Sequence, residues 1–110
     1  MVSNESKQAI ELDTDGFLQH LQHWNPRIAE TLATNEGIVL TEQHWEIIYT
    51  LRDFYSEFEL SPAMRPLTKY ISQQLGADKA KSIYLLQLFP GSPAKIAAKI
   101  AGLPKPDNCL

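Results

Sequence analysis

A chain of 110 residues, 44% hydrophobic and 21% charged, is long enough to bury one core and too short for two domains. Its single cysteine excludes an intramolecular disulfide, and no apolar run reaches the length of a membrane-spanning helix. The net charge of −3 hides a division: residues 1–60 hold three Lys/Arg against eleven Asp/Glu, while residues 61–110 hold seven against two. Such a basic second half is suited to steer an RNA or an acidic protein, or else it forms solvated helix faces.

Taken in chain order, Met1 to Lys7 has no apolar stretch of signal-peptide length, so a cytoplasmic, reducing setting is expected. Gln8-Ala9-Ile10-Glu11-Leu12 alternates apolar and polar residues, Asp13-Thr14-Asp15-Gly16 reads as a turn, and Phe17-Leu18 resumes an apolar run. Strand, turn and second strand are the expectation there. Asn25 as cap and Pro26 as first helical residue start a helix over 26–35, with Ile28, Ala29, Leu32 and Ala33 as its apolar stripe and Gly37 beyond its end. Thr41 caps the longest helix, 41–58, whose stripe is read as Trp45, Ile48, Tyr49, Phe54, Tyr55 and Phe58. Ser61-Pro62 offers a cap and first-turn proline for a helix carrying Leu67, Tyr70, Ile71 and Leu75 to Gly76. A further helix is expected within 77–88, on Ile83, Tyr84, Leu86 and Leu88. Ser92-Pro93 then starts a last helix that Gly102 and Pro104 end, with Ile96 and Ile100 on one face and Lys95 and Lys99 on another.

The predicted fold is α+β and predominantly α: a small N-terminal β-hairpin or meander packed against about five helices. One domain spans 1–110, and residues 102–110 form a flexible C-terminal arm. Nine residues in a polyproline-like conformation reach at most roughly 28 Å.

Chemistry is marked weakly except at one place. His20, His23 and His44 are the only histidines, His20 and His23 lie far ahead of Cys109 and no cysteine pair exists, and no glycine-rich phosphate loop is present, so neither metal nor cofactor is expected. Helices 41–58 and 61–75 with Arg65 and Lys69 allow a helix-turn-helix regulatory or nucleic-acid-binding reading, which the acidic first half opposes. Arg52 and Asp53 read as a structural ion pair or surface charge, with an exposed functional patch as the alternative. Cys109, the penultimate residue, follows two prolines, an Asp and an Asn, a context that does not favour burial of its thiol. Lys95, Lys99 and Lys105 are candidates for docking a partner or stabilising a thiolate, while Asp107 and the terminal carboxylate act against the latter.

Ile100-Ala101-Gly102-Leu103-Pro104-Lys105-Pro106 followed by Cys109 resembles the DsrC/TusE family of sulfur-carrier proteins. Asp15-Gly16-Phe17, Glu36-Gly37-Ile38, His44-Trp45, Arg52-Asp53-Phe54-Tyr55, Ser61-Pro62-Ala63 and Leu88-Phe89-Pro90 extend the resemblance over nearly the whole chain. In members that serve dissimilatory sulfite reductase a second cysteine lies eleven positions before the penultimate one; here that position is Ala98. The resemblance therefore implies the TusE branch, a cytoplasmic sulfurtransferase relay in tRNA 2-thiouridine synthesis. Cys109 would accept a persulfide from a TusBCD-type donor complex and pass it to an MnmA-type thiouridylase, with tRNA touched indirectly and no membrane involved. A role beside sulfite reductase is the nearer alternative.

Overall fold

Asn25 and Pro26 start the first helix as their chemistry dictates: the Asn25 side chain accepts a hydrogen bond from the Ile28 amide, and Pro26 occupies the first helical turn. The computed structural model describes residues 10–107. Its α-helices are α1 (Pro26–Asn35), α2 (Glu42–Phe58), α3 (Met64–Leu75), α4 (Ser82–Leu88) and α5 (Pro93–Ile100), with 3₁₀ turns at Leu21–His23 and Ala77–Ala80. The short helix α5 packs against each of the other four. It does so through Ala94, Ala97, Ala98 and the following Ala101, all buried, because small side chains let four neighbours approach one axis.

The expected N-terminal β-hairpin is not formed among the described residues, and the fold there is all-helical rather than α+β. Gln8 and Ala9, the start of the predicted first strand, lie outside the described residues. Asp13 Oδ1 accepts from the Asp15 and Phe17 amides and closes the predicted turn, but pairing ends at a single isolated bridge between Leu12 and Leu18. Phe17 and Leu18 are both buried, at 1% and 5% exposure. Two consecutive inward side chains break the period-two alternation that a strand requires, and the chain passes directly into the 3₁₀ turn.

Three other boundaries differ from expectation. In α2 the buried residues are His44, Ile47, Ile48, Thr50, Leu51 and Phe54, whereas Tyr49 and Phe58, read as core, are about half exposed. Helix α3 begins at Met64 with Ala63 in the cap position, so Ser61 does not cap it. Glu59 adopts the left-handed conformation at φ 59° and turns the chain before Ser61 and Pro62, which are buried elsewhere. The segment 77–88 is split, because Lys81 is extended between the 3₁₀ turn and α4. The residues of this segment that fill the core are Leu85 and, just beyond it, Phe89, while Ile83 and Leu86 face outward.

The cap of α2 doubles as a tertiary tie. Thr41 and His44 form a reciprocal capping box, the Thr41 amide donating to His44 Nδ1 at 3.0 Å. Nε2 of the same ring lies 2.8 Å from the Leu88 carbonyl, which assigns the proton to Nε2 and joins the start of α2 to the end of α4.

Candidate functional site

Helix α5 ends in a Schellman motif that sets the course of the cysteine-bearing tail. The Gly102 amide donates to the Lys99 carbonyl and the Leu103 amide to the Ala98 carbonyl, with Gly102 at φ 75°. Residues beyond the helix do not stand free: Gly102, Leu103 and Pro106 are buried. The arm expected to be flexible from residue 102 is thus packed onto the body through residue 106, and the span available for reach is shorter by that length.

Three side chains from three parts of the fold hold this strap by its carbonyl oxygens. Trp24 Nε1, just ahead of α1, donates to the Ile100 carbonyl at 2.9 Å. Arg52 Nη1, from the middle of α2, donates to the Ala101 carbonyl at 2.6 Å. Ser61 Oγ, between α2 and α3, donates to the Pro104 carbonyl. The first two oxygens belong to the end of α5, where helical carbonyls lack partners within the helix. Arg52 also lies over the Trp24 ring, its guanidinium carbon 3.9 Å from the ring centroid. Burial lowers the Arg52 pKa from the ordinary arginine value, and Tyr49 acts in the opposite direction. A groove of about 330 Å³ opens beside these groups, lined by Leu21, Gln22, Arg52, Tyr55, Ser56 and Leu103.

The three candidate lysines are not brought to one point. Lys99 Nζ is 2.9 Å from Glu36 Oε2, with side chains only 13% and 24% exposed, and it sits over the Phe17 ring. Its ammonium ties α5 to the end of α1. Lys105 lies 3.6 Å from Asp15 and ties the strap to the N-terminal turn. Lys95 is partly exposed and has no ion pair among the described residues. Cys109 lies outside the described residues; covalent geometry alone puts its Cα within about 7 Å of that of Asp107, two positions earlier.

Of the histidines, His44 has both ring nitrogens engaged by Thr41 and Leu88, and His20 Nε2 lies 2.8 Å from Glu11. No group of three or more potential metal ligands occurs among the described residues. Arg65 and Lys69 are exposed on α3. The sequence singles out neither Trp24 nor Ser61 as functional; it offers Arg52 with Asp53 as a functional patch, a structural ion pair or surface charge, whereas Arg52 is bound to the Ala101 carbonyl. The one available signal was Gly102 directly after a helix, which marks a sharp exit without revealing what grips it.

The family model for "DsrC like protein" matches residues 4–110. The chain belongs to the DsrC-like family. Among curated relatives, the Sulfurtransferase TusE homolog of Haemophilus influenzae is 54% identical over 101 residues, 92% of this chain and 93% of that protein. Sulfurtransferase TusE of Escherichia coli K12 is 48% identical over 110 residues, the full length of both. Among solved structures, the NMR structure of Allochromatium vinosum DsrC is 44% identical at TM-score 0.84, covering 94% of this chain and 92% of that one. The oxidised γ-subunit of dissimilatory sulfite reductase (DsrC) from Archaeoglobus fulgidus is 41% identical at TM-score 0.80, covering 94% of each. With full-length relatives of this closeness, the DsrC-like chain is a sulfurtransferase that works in a sulfur relay with other proteins. Ala98, where the resemblance implies a second cysteine in sulfite-reductase partners, is fully buried in the core.

Proposed function

We propose that this DsrC-like chain carries sulfur as a persulfide on Cys109, accepting it from a TusBCD-type complex and passing it to an MnmA-type enzyme for 2-thiolation of a tRNA wobble uridine. The observation that carries this reading is the placement of the only cysteine three residues beyond Pro106, where the strap packed on the body ends, in a chain with full-length relatives named sulfurtransferases. The Cys109 thiolate attacks the outer sulfur of the donor persulfide. A sulfur–sulfur bond forms on Cys109 as the donor's breaks, the donor leaves as a thiolate, and no net oxidation occurs. Delivery repeats the exchange in the other direction.

One thiol is enough for that cycle. The intramolecular disulfide of a two-cysteine carrier is not open to it, since position 98 is Ala98. A cytoplasmic, reducing location keeps such a thiol available; no helix among the described residues is long and apolar enough to cross a membrane. Lys105, more exposed than Lys99, and Lys95, which has no ion pair among the described residues, are the candidate lysines best placed to meet an acidic partner surface.

Intact-mass measurement tests the reading directly. After incubation with a cysteine desulfurase, cysteine and the donor relay, the wild type is expected to gain one sulfur, about 32 Da, removable by thiol reductants and absent in Cys109→Ser. Absence of the gain with a demonstrably loaded donor overturns the assignment.

A further inference from the structure

We propose that Trp24, Arg52 and Ser61 are positioning residues: a carbonyl clamp that fixes the direction in which the cysteine-bearing strap leaves α5, and with it the affinity of a protein donor for that strap. The inference rests on the reading of Cys109 as the sulfur carrier.

The strap cannot be held in the usual way. Pro104 and Pro106 have no amide hydrogen, so an extended segment through them offers few donors for pairing with a neighbouring strand. What remains is carbonyl oxygens: Ser61 donates to that of Pro104 in the strap, while Trp24 and Arg52 donate to those of Ile100 and Ala101 at the helix end from which the strap leaves. None of the three hydrogen bonds requires a particular side chain on the strap. The grip therefore fixes the path of the backbone and leaves Pro104 and Lys105, the exposed residues between buried Leu103 and Pro106, available to a partner. Gly102 lets the strap lie against the Trp24 ring, and Lys105 adds a contact to Asp15 past the last clamp point.

A tail of fixed direction has less freedom to lose when a partner binds it than a free one has. The clamp thus acts on docking, with no direct action on the reactivity of the sulfur. Ser61 is the best probe of this, because it touches the strap furthest from α5, and its partner Pro104 is exposed so that water can replace the lost donor.

The test is steady-state sulfur transfer to wild type, Ser61→Ala, Ser61→Thr, Arg52→Met and Cys109→Ser from a loaded protein donor. Ser61→Ala is expected to raise KM for the carrier about 5-fold with kcat within about 2-fold, and Ser61→Thr to restore KM. Amide hydrogen exchange at Leu103 and Lys105 should quicken in Ser61→Ala and in Arg52→Met and return to the wild-type rate in Ser61→Thr. An unchanged KM in Ser61→Ala, or a fall in kcat at constant KM, overturns the clamp while the carrier reading stands. Failure of wild type to load, or loading of Cys109→Ser, overturns the carrier reading instead. Should Arg52→Met not fold, the Ser61 pair decides the question by itself.

Discussion

At Gly102 the backbone sits at φ 75°, and a Cβ added there would collide with Cδ1, Cγ and Cβ of Trp24. Two costs coincide at that position. The left-handed conformation disfavours any L side chain, and the indole cannot retreat without losing its hydrogen bond to Ile100. Gly37, which ends α1 by the same motif at the same φ, has nothing within 4 Å of a built Cβ. The pair separates the two effects. Gly37→Ala is expected to lose about 1 kcal/mol of unfolding free energy from conformation alone. Gly102→Ala is expected to lose roughly 2–4 kcal/mol, the excess coming from displacement of Trp24. Urea unfolding of both variants measures this, and equal losses would show that the Trp24 contact carries no energetic weight. Lys99 repeats the lesson in charge: its ammonium is bound by Glu36 and shielded by Phe17, so its role at this scale is to hold helices together.

Helices α2 and α3 meet through an aromatic cluster that has its own pH signature. Tyr70 lies edge-on to Phe54 at 5.1 Å and to Phe58 at 6.4 Å, and desolvation, with Glu57 and Asp53 nearby, raises its pKa above the ordinary phenol value. A phenol that holds its proton more tightly when folded leaves stability intact below the unfolded value of about 10 and removes it as pH rises through the folded value. Tyr70→Phe is therefore expected to flatten the alkaline decline of the unfolding midpoint, as followed by thermal unfolding at a series of pH values. A decline as steep as in wild type would remove the cluster from the account. The same elements show what a sequence can reveal. Asn25, Thr41, Gly37 and Gly102 were legible as helix ends because caps are decided by residues within one turn. Ser61 was not, since its hydroxyl is taken by Pro104, 43 positions away. The inward face of α2 was legible at Ile48 and Phe54 but not throughout, because apolar residues surround that helix, and only the neighbouring elements decide that Ile47 and Leu51 go inside while Tyr49 and Phe58 stay out. Cys109 was conspicuous by its chemistry; the residues that direct its strap meet only once the chain has folded.

Across the whole molecule, folding pairs the acidic first half with the basic second half. Glu36 meets Lys99, Asp15 meets Lys105 and Glu46 meets Lys79, so part of the charge division read from the sequence is closed within the structure and is not all free to steer a partner. The two more exposed pairs add little to stability, which leaves packing around α5 as the larger influence. Ala97 is fully buried at the centre of that packing, and α5 ends at Ile100 and its cap Ala101, the first two residues gripped by the clamp. Core and strap are thus one mechanical unit. Ala97→Leu is expected to cost about 1–3 kcal/mol by overpacking, whereas Lys95→Leu, partly exposed on the same helix, should change stability by less than about 0.5 kcal/mol. The second readout is the NMR signal of the Trp24 indole proton, which reports the hydrogen bond to Ile100. It should shift in Ala97→Leu and stay in place in Lys95→Leu, because only the first substitution pushes α5 along the line that leads to the strap. A leucine at position 97 that left both the midpoint and the indole signal unmoved would mean that α5 has room to spare and that the strap's direction is set independently of the core.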